Sequence, residues 1–265
     1  MNIFWKEMKS YRKPLIFWSI GIFLMVVSGM SKYAGLSASG QSMNDLMADM
    51  PKSLKAILGI GSLDLNTASG YYGLLYLYLL LMATIHASML GANIISKEER
   101  DKTSEFLFVK PVSRNAIISS KLLAAFANIV IFNGVTLISS ILIVGQYSDG
   151  ESLNGDIAIT MLGMFILQLL FLSIGSAIAA VKKKSKSAGS LATGILLLTF
   201  IISVAIELNE RIDSLKYVTP FKYFEPKNVM YGGGLDLIFV LLSVVMIVAL
   251  FSVTYVFFGK RDLNA

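Results

Sequence analysis

Six runs of the chain contain no Lys, Arg, Asp or Glu: 14–31, 65–96, 122–148, 157–181, 187–206 and 237–259. They are 18, 32, 27, 25, 20 and 23 residues long and together occupy 145 of the 265 positions. A helix that crosses the hydrocarbon layer needs about 20 predominantly apolar residues, so each run is of spanning length. The pattern predicts an all-α polytopic membrane protein with six transmembrane helices. What remains is 120 residues in pieces of at most 33, too short for a soluble domain of ordinary size. Composition agrees, because only 15% of the residues are charged where a soluble domain carries roughly 25%.

Charge placement orients the spans. With the N-terminus inside, segments 1–13, 96–121, 182–186 and 260–265 hold 16 of the 23 Lys and Arg residues. The opposite segments 32–64, 149–156 and 207–236 hold 7 basic and 11 acidic residues. The excess of Lys and Arg marks the cytoplasmic side, so both termini are expected there. Reading the first 31 residues as a cleaved signal peptide requires an unusually long apolar core and inverts the five spans that follow.

With helix starts and interfaces taken into account, the spans are expected near 14–31, 71–95, 114–146, 157–181, 187–206 and 237–259, with external segments 32–70 and 207–236. Residues 2–13 carry Phe4, Met8 and Tyr11 at helical spacing, with Lys6, Lys9 and Lys13 on other faces. That pattern predicts a short amphipathic elbow helix lying in the membrane interface, with Pro14 opening the first span at a position that needs no amide donor. Tyr71, Tyr72, Tyr76 and Tyr78 suit an aromatic belt at the outer end of the second span. The external stretch Thr219–Pro226 is too rich in proline and aromatics for a plain span and is expected to be interfacial or partly re-entrant. No internal repeat of the kind found in many secondary carriers is evident.

The segment between spans two and three is the most organised part of the polar remainder. Ser96 followed by Glu99 reads as a capping box, and acidic residues in a first turn favour the helix dipole. A charged helix over 97–108 is therefore expected, stopped by Lys110-Pro111. Ser113 then caps a new helix beginning at Arg114.

Most chemistry is excluded. There is no Cys, so no thiol catalysis, disulfide or thiolate-held metal, and a single His, His86, precludes a multi-histidine metal site. The one Gly-Lys pair, Gly259-Lys260, is followed by Arg261 and lacks the upstream glycine of a phosphate-binding loop. No catalytic residue and no metal site is assigned. The polar residues expected within the spans are Asn93, Asn128, Asn133 and Gln168. They either bond helix to helix or line a pathway, and both readings stay open.

The run Glu98-Glu99-Arg100-Asp101-Lys102-Thr103-Ser104-Glu105-Phe106-Leu107, followed by Lys110-Pro111-Val112-Ser113-Arg114 and Lys121, resembles the signature of the type-2 ABC exporter permeases. It departs from that family at Lys102, where many members have Gly before the Thr. The resemblance extends over essentially the whole chain: six spans, both termini inside, an N-terminal elbow and an external Pro/aromatic segment before the last span.

The resemblance implies the transmembrane subunit of an ATP-driven exporter, with no ATPase site of its own. Two such permease chains, identical or different, would pair in the lipid bilayer, each on a separate ABC ATPase subunit that binds ATP and Mg; no nucleic-acid partner is implied. Helix 97–108 would be the cytoplasmic coupling helix, with Glu98, Glu99, Arg100, Asp101, Thr103, Glu105, Pro111, Ser113, Arg114 and Lys121 as its coupling residues. Lys182, Lys183, Lys184 and Lys186 would form a second, smaller cytoplasmic contact or serve topology alone. The location implied is a plasma membrane, that of a bacterium. The cargo class favoured by spans without intramembrane charge is an amphipathic or hydrophobic peptide or drug. The alternatives are a structural or regulatory membrane subunit, and an ion-coupled carrier or channel.

Overall fold

The computed structural model describes residues 3–61, 63–101, 112–148, 150–182, 187–231 and 233–260. Among these the chain is all-helical, and six helices are long and apolar enough to cross a membrane. They are α1 (Ile3–Ala38), α4 (Ala68–Arg100), α5 (Arg114–Val144), α6 (Asn154–Val181), α7 (Ala188–Leu208) and α9 (Leu237–Gly259). Three short helices, α2 (Met43–Ala48), α3 (Lys52–Leu58) and α8 (Pro226–Met230), lie in the connections.

Side chains that accept from free first-turn amides set several helix starts. Ser42, Thr67, Ser113 and Asp236 cap α2, α4, α5 and α9 through Asp45, Gly70, Ala116 and Ile238 N–H. Glu7 pairs with Lys121, and Arg114 bonds the carbonyl of Gly259, so both ends of the described chain lie at one end of the bundle. We call this the termini end and the opposite one the far end.

The centre is the pair α4 and α6, which run in the same direction and pack most intimately. Their backbones approach so closely that a Cβ on Gly91 would stand 2.2 Å from the carbonyl oxygen of Leu172, and one on Gly175 would stand 2.3 Å from that of Ser88. Only glycine fits at such a crossing. Ala179, Ala188 and Ala192 are likewise buried within the chain. Around this pair, α1 packs on α5, α9 on α6, and α7 on α4. The outward faces of α1, α7 and α9 expose Phe17, Leu198 and Val245, as helices facing lipid do.

The structure differs from the sequence expectation in three places. Tyr72 and Tyr76, expected in an aromatic belt, are fully buried in the core, where the Tyr76 hydroxyl donates to the Thr160 carbonyl at 2.8 Å. The elbow over 2–13 and the first span over 14–31 are one helix, α1, which runs through Pro14 without ending. Pro14 has no N–H to give the carbonyl four residues earlier, yet the turns before it stay helical because Phe4, Met8 and Tyr11 pack against the core formed around α4 and α5. Likewise, Ser96 does not start a helix. It lies inside α4, fully enclosed, and its hydroxyl bonds back to the Ala92 carbonyl at 2.7 Å. α4 continues to Arg100, with Asp101 at its C-cap. Residues 102–111, which hold the rest of the expected helix 97–108, lie outside the described residues.

At the far end the Pro/aromatic stretch folds against the bundle. It comprises 3-10 turns at Glu210–Tyr217 and Pro220–Lys222, followed by α8. Phe221 sits between Phe171 and Phe200, with ring centroids 5.4 and 5.5 Å apart. Thr219 donates its hydroxyl to the Thr199 carbonyl at 2.5 Å. Lys222 bonds both Glu207 and Glu225 at 2.5 Å, and Lys227 reaches Glu225 at 3.0 Å. Burial works against the Lys222 charge, but the carboxylates of Glu225 and Glu207 outweigh it and hold the ammonium above the usual lysine range.

Candidate functional site

The densest polar cluster among the described residues lies at the termini end, where α1, α4 and α5 meet. Lys121, two turns into α5, is completely buried. Its ammonium donates to the Glu98 carboxylate at 2.7 and 2.8 Å and to the Ile94 carbonyl at 2.7 Å, and lies 3.6 Å from Glu7. That uses all three of its protons. Glu7 is 2% exposed and also faces Lys97 at 3.4 Å. Lys97 in turn donates to Ser10 at 2.7 Å and lies over the Tyr11 ring, 5.6 Å from its centroid.

The cluster therefore holds two ammoniums and two carboxylates from three helices, with no net charge. Burying any one of these ions alone would cost several kcal/mol, and mutual pairing offsets that cost only while the geometry is kept. The arrangement locks α1, α4 and α5 into one register at the point where the chain leaves α4 and re-enters as α5.

Around it lie further contacts of the same kind. Arg100 donates to Asn93 at 3.1 Å and to Asp101 at 3.2 Å. Arg114 donates to the Gly259 carbonyl at 3.0 Å, tying the start of α5 to the end of α9. Ser119 and Tyr255 share a hydrogen bond of 2.8 Å between the same two helices.

The residues assigned to coupling thus divide. Glu98 and Lys121 are brought together at the core of the cluster; Arg100 and Asp101 follow Glu98 along the chain, while Ser113 and Arg114 open α5 with contacts to Ala116 and Gly259. Glu99 is half-buried one position beyond Glu98. Thr103, Glu105 and Pro111 fall outside the described residues, as do Lys183, Lys184 and Lys186. Lys182 is the C-cap of α6, its amide bonded to Ile178.

The four polar span residues do not share one layer. Asn93 belongs to the termini end through Arg100. Asn128 bonds the Ala124 carbonyl at 2.7 Å and the Met8 sulfur at 3.3 Å, joining α5 to α1. Asn133 bonds Gln168 at 3.0 Å and the Met161 carbonyl at 3.2 Å, joining α5 to α6. These are helix-to-helix contacts. His86 lies between Trp18 and Phe132 in tilted ring contacts, with centroids 5.5 and 4.8 Å away.

Sequence reasoning missed Glu7, Ser10, Tyr11 and Lys97 as members of the cluster. A signal was present: Glu7 is the one acidic residue in the basic first 13 positions, and it shares the helical face of Phe4, Met8 and Tyr11. An acid on the packed face of a basic segment points to a buried partner.

A family model described as ABC-2 family transporter protein matches residues 1–263. A search of curated proteins finds no match.

Proposed function

The chain belongs to the ABC-2 family of transporter proteins, and from that premise we propose that it is the permease subunit of an ATP-driven exporter. Members of this family are membrane subunits that usually work with ABC ATPase partners. In this reading two permease chains form the path, ATP and Mg bind on the partner ATPases, and the termini end faces the cytoplasm of a bacterial cell. The cargo is an amphipathic or hydrophobic peptide or drug.

The observation that carries the reading is the buried ion cluster at the mouth of the α4–α5 connection. An ATPase pushing on residues 97–114 acts on Lys97, Glu98 and Arg114, and these are bonded to α1, α5 and α9. Displacement of the connection is thereby delivered to three helices besides α4. The charged groups beyond the cluster, Glu99 and Asp101, set the register with the partner more than the strength of binding.

The test is to co-express the chain with candidate ABC ATPases of its own organism and to isolate the complex. A stoichiometric ATPase is expected to co-purify. Replacing Glu99 and Asp101 by Lys, E99K/D101K, is expected to leave the permease folded while lowering its retention of the ATPase at least tenfold. Cargo flux through the isolated chain without any ATPase, or full retention by the variant, refutes the coupling role.

A further inference from the structure

The continuity of α1 through Pro14 places its basic residues in a setting that a separate elbow helix would not. At 100° per residue, Lys6, Lys9, Arg12 and Lys13, with Trp5, fall within an arc of about 140°. The same arc carries Ile16, Phe17, Ile20 and Leu24 further along the helix. All nine side chains are exposed, Trp5 at 67% and Phe17 at 83%. The opposite face, with Glu7, Leu15, Ile22 and Val26, is buried against the bundle.

The basic stripe is therefore the direct continuation of the exposed apolar stripe of the first span. The apolar run 14–31 spans about 27 Å at 1.5 Å per residue, close to the hydrocarbon thickness. Lys6 to Lys13 covers about 10 Å more, enough to cross one headgroup layer of about 5–8 Å. The exposed Trp5 suits the same interfacial level. The acid of this segment is turned inward, since Glu7 is engaged by Lys97 and Lys121, so the outward face is purely cationic.

We infer that this face of α1 is a binding surface for the headgroups of anionic phospholipids. The cations stand across the headgroup layer, beside the acyl chains that would cover Phe17 and Ile20. A lipid with net negative charge is favoured there over a zwitterionic one, roughly fivefold per basic side chain at low ionic strength. The inference concerns contact with lipid and does not depend on coupling to an ATPase.

The experiment uses the full chain, purified in mild detergent with equal amounts of phosphatidylglycerol and phosphatidylcholine, and counts retained lipids by native mass spectrometry. Preferential retention of phosphatidylglycerol is expected, and it should weaken as salt shortens the screening length. The variant K6Q/K9Q/R12Q/K13Q is expected to lose at least about tenfold of the preference, whereas K6R/K9R/K13R keeps it. The single variants K6Q and K9Q, at exposed sites, provide the same reading if the quadruple variant does not fold. K52Q, at the far end, is expected to leave the preference unchanged. Equal retention of the two lipids by the wild type overturns the inference. So does an unchanged preference in the neutralised variants, or loss of self-association in them with lipid selectivity intact, which would place a second chain on this face.

Discussion

Replacing Lys121 by Met removes one ammonium from the buried cluster and leaves the apolar part of the side chain nearly intact. Lys121 stands 2.7 Å from Glu98 and 3.6 Å from Glu7. At an effective dielectric constant near 20, each contact is worth about 5 kcal/mol gross, most of which offsets desolvation. The substitution strands Glu98, which at 13% exposure does not regain full hydration, and leaves the 2% exposed Glu7 with Lys97 alone at 3.4 Å. Breaking such a pair costs about 3–5 kcal/mol. For a chain of this size that corresponds to a fall in Tm of roughly 6–20 °C. The measurement is heat-induced loss of the monodisperse peak on size exclusion in mild detergent, at one fixed heating schedule because unfolding of this kind is commonly irreversible. The double variant E98Q/K121M removes one stranded charge and is expected to recover at least half of the loss. If K121M melts within about 1 °C of wild type, or the double variant loses the sum of the singles, the cluster is not an interdependent unit and the reasoning fails.

The crossing of α4 and α6 gives a sharper steric expectation. Gly91→Ala forces a methyl against the Leu172 carbonyl and should destabilise by about 1–3 kcal/mol, while Gly134→Ala, with no neighbour within 4 Å of the added carbon, should be neutral or slightly stabilising. Equal melting of the two variants contradicts the close approach. The far-end cluster predicts a pH effect. The Lys222 ammonium is held above its usual range by Glu225 and Glu207, so its contribution is fully present below the ordinary lysine pKa and is lost as pH rises through the folded value. The stability difference between wild type and Lys222→Met should therefore shrink in strongly alkaline buffer, and a constant difference from pH 8 upward refutes the pairing.

The six membrane helices and the Ser113 cap were legible because each rests on a local signal: uninterrupted apolarity, or a hydroxyl three residues before a free amide. Ser96 carries the same local signal and is not a cap. A hydroxyl followed by Glu three positions on also occurs inside a helix, and what decides is the burial of Ile94, Ile95 and Ser96 itself, which keeps α4 intact. Pro14 was misplaced for a related reason. Whether a proline opens a helix or sits within one depends on whether the preceding turn is held, and here the packing of Phe4, Met8 and Tyr11 holds it. Half of the ion cluster was identified from the α4–α5 connection. The other half was not, because the Glu7 to Lys97 contact spans 90 positions and no pattern in a single sequence pairs residues at that distance.

Because α1 is one rod, it has the geometry of a lever. One end is gripped at Glu7 by the ion cluster, and the other is bonded to the far-end loop through the Tyr33 hydroxyl and the Asn66 carbonyl at 3.2 Å. The arm between Glu7 and Tyr33 is about 39 Å long at 1.5 Å per residue. A tilt of about 10° pivoted at the ion cluster sweeps Tyr33 through roughly 7 Å, more than one helical turn. An angular adjustment at the ion cluster is thus multiplied with distance along the rod, and the packing around Met30 and Tyr33, together with the loop bonded to Tyr33, has the longest travel to accommodate.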